Sequence, residues 1–192
     1  MSREQILQSI RQQKIDPVEL PTLERPPTEP HNLLSKFLER LEMAGGKGWT
    51  VESQDKVLKK IVELFPDPIK TYTNLSDLDL AKPMTKSATD PHDFTDIDVA
   101  VLKGRFGVAE NGAVWITDEE VPFRSVYYAV QHLVLVIEEE GLVPNLFQAY
   151  ELISSKNQGF GCFISGPSKT ADIEQTLVMG AHGPRSVTVL LT

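Results

Sequence analysis

Ten residues near the C-terminus, Ser165-Gly166-Pro167-Ser168-Lys169-Thr170-Ala171-Asp172-Ile173-Glu174, place three hydroxyls and a lysine around a Gly-Pro turn. The apolar run Cys162-Phe163-Ile164 leads into them, and an amphipathic segment over 170–178 follows. Read locally, this is a strand, a small-residue turn and a helix. Such a junction gathers unpaired backbone N–H groups at a helix N-terminus, where the dipole favours negative charge. Ser165, Ser168 and Thr170 add hydroxyl donors, Gly166 shapes the turn, and Lys169 supplies a cation, so the predicted chemistry is capture of a small anion. The plainer alternative is a helix start whose serine and threonine only cap orphan amides. Asp172 and Glu174 fall in the first helical turns, where acids complement the dipole. In the functional reading one of them faces the pocket and orients Lys169 or Arg185.

Two further groups carry chemistry. In Ala181-His182-Gly183-Pro184-Arg185, Arg185 could hold a carboxylate or phosphate opposite the first turn. His182 could donate or transfer a proton near neutral pH. Otherwise Gly183-Pro184 merely reverses the chain and Arg185 is solvated. In Glu110-Asn111-Gly112, the Asn-Gly pair between apolar runs predicts a hairpin with a type I′ turn, positive φ at both residues. Glu110 could instead serve as a carboxylate nucleophile. Asp90, His92, Asp93, Asp96 and Asp98 crowd one stretch, but the spacing matches no calcium loop, and no metal site is predicted. Cys162 is the single cysteine. It makes no internal disulfide and holds no iron–sulfur cluster by itself, and within an apolar strand it packs as a small hydrophobe.

Residues 2–14 read as a short helix with Ile6, Leu7 and Ile10 on one face. Five prolines between Pro17 and Pro30 make 15–30 an extended linker. The helix is then either a frayed appendage or an arm that packs on another subunit. The compact domain is expected from His31 to Thr192. It opens with a helix carrying Leu33, Leu34, Phe37, Leu38 and Leu41, ended by Gly45-Gly46. Strands are expected at 49–51, 69–72, 99–102, 133–137, 161–165 and 187–191. Helices are expected at 53–65, 144–156 and 170–178, and a polar loop with a short helix at 73–95. Strand–helix alternation with one inserted β-hairpin, 106–110 and 113–117, implies an α/β fold: three layers, a mostly parallel sheet flanked by helices. Ligands of such sheets gather beyond the carboxyl ends of the strands, which is where the Ser165–Thr170 turn is expected.

The 192-residue chain is 41% apolar and 24% charged, with net charge −8. That is an ordinary globular composition whose acidity argues against nucleic acid. No apolar run reaches the roughly 20 residues of a membrane span. The N-terminus has no signal-peptide core, so the chain reads as cytoplasmic.

The segment Ser165–Arg185, Ser-Gly-Pro-Ser-Lys-Thr-Ala-Asp-Ile-Glu-Gln-Thr-Leu-Val-Met-Gly-Ala-His-Gly-Pro-Arg, resembles the signature of the lactate-utilisation protein C family. Val108-Ala109-Glu110-Asn111-Gly112-Ala113 resembles that family's Ala-Glu-Thr-Gly-Thr segment. The resemblance covers roughly residues 31–192, a LUD domain with a NagB/RpiA/CoA-transferase-like fold. Lys169 stands where the family usually has Arg, keeping the charge but losing the bidentate fork. Asn111 stands where the family has Thr. The resemblance implies a component of an iron–sulfur system that oxidises L-lactate to pyruvate. The clusters would lie on partner subunits and no cofactor in this chain. The same fold group includes class I CoA-transferases, whose Glu sits in a Ser-Glu-Asn-Gly setting. Ala109-Glu110-Asn111-Gly112 resembles it except at the first residue. The alternative is therefore a stand-alone enzyme acting through Glu110 on a CoA-linked or phosphorylated substrate.

Overall fold

The computed structural model describes residues 2–13, 18, 19, 21, 32–66, 70–75, 78, 90–119, 121, 123–153, 159–173, 176–180 and 182–192. The elements in chain order are α1 (Arg3–Gln12), α2 (Leu33–Met43), β1 (Lys47–Thr50), α3 (Gln54–Leu64), β2 (Thr71–Thr73), β3 (Val99–Lys103), β4 (Phe106–Val108), β5 (Ala113–Thr117), α4 (Val126–Ala129), β6 (His132–Ile137), β7 (Leu142–Val143), α5 (Leu146–Leu152), β8 (Gly161–Ile164), β9 (Lys169–Ile173), β10 (Thr176–Met179) and β11 (Ser186–Leu191). Pro91–Phe94 form a 3₁₀ turn.

The β-branched runs form a five-stranded sheet, order β1-β11-β6-β3-β2. Every pairing in it is parallel. Period-two alternation divides its residues between two cores. Val99, Val101, Val134, Val136 and Leu190 meet Val57 and Ile61 of α3. Ala100, Leu102, Leu133, Leu135, Val187 and Val189 meet Phe37 and Leu41 of α2 together with Val114 and Ile116 of β5. Both faces are covered, which explains why these strands read as continuous apolar runs.

The expected α/β architecture is therefore present, and the inserted hairpin proves to be the centre of a second sheet, order β7-β4-β5-β8. Its outer face packs Phe106, Val108 and Trp115 against Ala149 and Leu146 of α5. The hairpin forms where expected, with Phe106 opposite Trp115 and Val108 opposite Ala113. Its turn differs from type I′. Gly112 has φ +64°, whereas Asn111 has no positive φ. Four residues bridge the strands, closed by the Gly112 amide on the Val108 carbonyl (2.9 Å) and the Ala113 amide on Asn111 Oδ1 (3.1 Å). Tertiary packing selects this turn. A Cβ on Gly112 would overlap the Leu41 amide and lie 2.6 Å from Leu41 Cα, because the turn presses on the backbone of α2.

One expected helix does not exist. Lys169–Ile173 and Thr176–Met179 pair as antiparallel strands, with Met179 opposite Lys169, Val178 opposite Thr170, Thr176 opposite Ile173, and a shift in register between. A short segment with Ile173 and Leu177 four apart satisfies a helical period. Thr170, Ile173, Thr176 and Val178 are β-branched, and strand pairing takes them. The helix expected at 144–156 is the shorter α5.

α1 carries its own capping box, Ser2 with Gln5, and none of its residues is buried.

Candidate functional site

The loss of the 170–178 helix removes one premise of the predicted anion site. Lys169 opens a strand, so no helix dipole or first-turn amides stand there. The two candidate loops are nevertheless brought together. The Ser168 amide donates to the Pro184 carbonyl (3.1 Å), and the Gly180 amide donates to the Ser168 carbonyl (2.9 Å). Ser168 Oγ donates to the His182 carbonyl (2.8 Å). Gly183, with φ +131°, leaves room for Ser168, whose Cβ would be 2.9 Å from a side chain there. Ser165 Oγ donates to the Asn111 carbonyl (2.8 Å). Both serine hydroxyls thus knit loops together.

Gly166 (φ +70°) seats the turn on the end of α2, where a Cβ would overlap the Ala44 carbonyl oxygen. Lys169 lies beside that same helix end. A Cβ on Gly45 would be 3.5 Å from its Cε and 3.6 Å from its Nζ. A cation at a helix C-terminus is electrostatically favourable, so Lys169 complements the dipole of α2. Glu174 lies outside the described residues, as do the side chains of Thr170 and Asp172. His182 is exposed.

The candidate residues stand at the opposite end of the parallel sheet from the one expected. Arg185 immediately precedes β11, and its amide donates to the Gln131 carbonyl (2.7 Å) just before β6. Lys47 pairs with Thr188, so Gly45, with Lys169 against it, stands level with Ser186. Lys169 and Arg185 therefore share the amino edge of β1 and β11. The strand leading into the Ser165 turn is β8, which belongs to the second sheet. Local sequence could not distinguish the two sheets.

Three groups near this edge, His132, Ser186 and Tyr128, were missed by the sequence reading. His132 Nδ1 lies 2.7 Å from Ser186 Oγ. Burial, and then the Arg185 charge, hold His132 below its ordinary range, with Asp98 working the other way, so the imidazole is neutral at pH 7. Tyr128 OH lies 3.0 Å from Cys162 Sγ. Burial pushes the Cys162 thiol up, against the Tyr128 hydrogen bond, which fits an inert thiol. The only available signal for His132 was its position just before the apolar run Leu133–Ile137.

Glu110 sits in the hairpin turn and accepts the amide of Leu146 at 3.0 Å, beside the Asn145 N-cap. An acid at the start of α5 stabilises that helix. Glu110→Gln should cost about 0.5–1 kcal/mol in urea unfolding and leave any ligand affinity at the sheet edge unchanged. A larger effect on affinity than on stability would restore a chemical role.

Elsewhere, a surface cleft of about 400 Å³ is lined by Pro91, Asp118, Val121, Phe123, Arg124 and Ser125. Arg124 donates to Asp118 Oδ2 through Nε (3.0 Å) and Nη2 (2.7 Å) and stacks on Phe160 at 4.6 Å. None of the predicted site residues lines it. Among the described residues, no three His, Cys, Asp or Glu side chains converge as a metal site. No described helix is long and apolar enough to cross a membrane.

The chain is 32% identical over 100 residues to lactate utilization protein C of Oceanobacillus iheyensis, covering 49% of this chain and 43% of that protein. It is 33% identical over 98 residues to lactate utilization protein C of Bacillus pumilus, covering 48% and 41%. The matched stretch thus spans less than half the length of these relatives. A crystal structure of a DUF162 family protein from Deinococcus radiodurans superposes with TM-score 0.62, covering 86% of this chain and 99% of that one at 12% identity, a likeness of fold. The LUD domain model matches residues 34–192, the whole two-sheet body that carries the Lys169–Arg185 edge, and on that match the chain belongs to the LUD domain family.

Proposed function

We propose that this chain is a cytoplasmic component of an L-lactate oxidation system and that its own task is to hold a small carboxylate at the amino edge of the parallel sheet. The relatives' names supply the lactate context. What supports the site is that Lys169, beside Gly45 ahead of β1, and Arg185, immediately ahead of β11, both stand by the amino edge of the parallel sheet. Among the described residues neither has a carboxylate within salt-bridge distance. Ser165, Gly166, Ser168 and Gly183 shape the loops, Lys169 and Arg185 provide the charge, and His182 flanks them. Kinship with NagB/RpiA/CoA-transferase-like folds belongs to the same reading. Transfer chemistry through Glu110 is the weaker alternative, since that carboxylate already caps α5.

Lactate to pyruvate is a two-electron oxidation, and a chain with one cysteine passes no electrons through a cluster of its own. In this reading iron–sulfur clusters lie on partner subunits. Calorimetry with L-lactate tests the site. Lys169→Ala and Arg185→Ala should each weaken binding by about 1.5–3 kcal/mol, as expected for lost charge-assisted hydrogen bonds. Unchanged heats in both variants would refute it.

α1 is proposed as the docking arm, toward a partner subunit or a second copy. None of its residues is buried among the described residues, Ile6 and Ile10 being exposed and Leu7 half-buried, and an isolated ten-residue helix needs burial of such a stripe to persist. Deleting residues 1–28 should abolish co-purification with the partner while leaving the melting temperature of the body within about 2 °C, since none of the described residues removed is buried. Retained co-purification would refute the arm.

A further inference from the structure

The cleft beside Asp118 and Arg124 lies outside the site proposed above, and its volume of about 400 Å³ falls within the range of small-molecule pockets. It opens where β5 ends. Asp118 follows that strand, and its amide donates to the Phe160 carbonyl ahead of β8 (3.2 Å). Val121, Phe123, Arg124 and Ser125 lead into α4. The walls are tied down. Phe123 meets the buried Phe94 ring at 6.4 Å, Val121 is itself buried, and Ser125 Oγ donates to the Pro91 carbonyl at 3.0 Å.

Arg124 is held from two sides. A guanidinium carries five N–H donors in one plane. Nε and Nη2 each donate to Asp118 Oδ2. Asp118 Oδ1 in turn accepts the Phe160 amide at 3.1 Å. The Phe160 ring covers one face of the guanidinium, 4.6 Å from Cζ. Asp118 therefore fixes its rotation in the plane, and Phe160 fixes the plane. The end edge, Nη1 with the second Nη2 proton, has no partner among the described residues, and the side chain is 56% exposed. An edge held in this way is ready to donate two parallel hydrogen bonds to two neighbouring acceptors.

Charge narrows the ligand. Burial raises the Asp118 carboxyl, but the Arg124 hydrogen bond and the Phe160 amide hold it below its ordinary range, so it is ionised at pH 7. It balances the Arg124 charge. Glu119, the next residue, is paired with Arg105. An anion gains little from cations already matched, whereas a neutral ligand loses nothing by the balance. Pro91, Val121 and Phe123 suit a flat apolar body. Two adjacent acceptors on a neutral flat ring are a carbonyl oxygen beside a ring nitrogen, the O6 and N7 of a 6-oxopurine. Adenine sets an amino donor beside N7 and would turn donor against donor.

We propose that this cleft binds a 6-oxopurine base or nucleoside, with the end edge of Arg124 on O6 and N7 and the ring against Phe123 and Val121. The site shares no residue with the carboxylate site proposed above, so either stands without the other.

The test is calorimetry of the full chain with inosine, adenosine, benzoate and inorganic phosphate. Inosine should bind, and adenosine should bind about tenfold or more weakly, the discrimination of a bidentate arginine. Arg124→Lys keeps the charge without the fork and should bring inosine down to the level of adenosine. Asp118→Asn keeps an oxygen for the Phe160 amide but removes the balancing charge, so benzoate should gain on inosine. Equal affinities for inosine and adenosine in the wild-type chain would overturn the assignment. So would tighter binding of benzoate or phosphate than of inosine, or no inosine binding at all. An Arg124→Lys chain that binds inosine as the wild type does would overturn it as well.

Discussion

Gly166→Ala is expected to destabilise the protein by about 2–4 kcal/mol and to lower its melting temperature by roughly 5–15 °C. Two effects add. Gly166 has φ +70°, where a side chain with a Cβ costs about 1 kcal/mol or more. The added Cβ would also overlap the Ala44 carbonyl oxygen and lie 2.8 Å from its carbon. Backbone cannot yield as a flexible side chain can, so either the turn lifts from α2 or α2 shifts. Lifting the turn would pull Ser165 from Asn111 (2.8 Å) and Lys169 from the end of α2. Thermal denaturation checks the first consequence, and L-lactate calorimetry, given the site proposed above, checks the second. A variant that melts like the wild type would mean that the turn does not pack on α2.

Tyr127→Ala is the other large effect, about 3–5 kcal/mol from the lost aromatic volume with roughly 1 kcal/mol more from the lost hydrogen bond. Tyr127 is 1% exposed, and its hydroxyl donates to the Thr117 carbonyl at 2.9 Å. Tyr127→Phe removes only the hydrogen bond and should cost about 0.5–1.5 kcal/mol. The difference between the two variants in urea unfolding separates packing from hydrogen bonding. The consequence reaches the candidate site. α4 has four residues, too few to stand alone, and Tyr127 pins it to β5. The next residue, Tyr128, meets Cys162 at 3.0 Å, and its carbonyl lies 3.9 Å from where a Gly183 Cβ would stand. Loosening α4 therefore loosens the wall behind the His182–Arg185 turn. Equal destabilisation by Ala and Phe would show that Tyr127 does not fill the core as described.

Local patterns already carried much of this protein. Runs such as Val99–Leu102 and Leu133–Ile137 announced strands covered on both faces, because their β-branched residues continue without polar alternation. Asn111-Gly112 announced a hairpin, and the Ser165–Arg185 signature announced the family. Each is a property of neighbours in sequence, and so is legible there. What lay beyond reach depended on residues far apart. Whether 170–178 coils or pairs turned on strand neighbours, since its apolar spacing suits both. The partnership of His132 with Ser186 joins positions 54 residues apart and exists only because β6 and β11 are register neighbours. The assignment of β8 to the second sheet, which moved the Ser165 turn from the carboxyl to the amino edge, followed from its pairing with β5. Sequence alone determined which segments seek burial and which carry charge. Tertiary structure decided which segments lie side by side, because strand order is settled by the burial of both sheet faces at once, a condition no single stretch of chain contains.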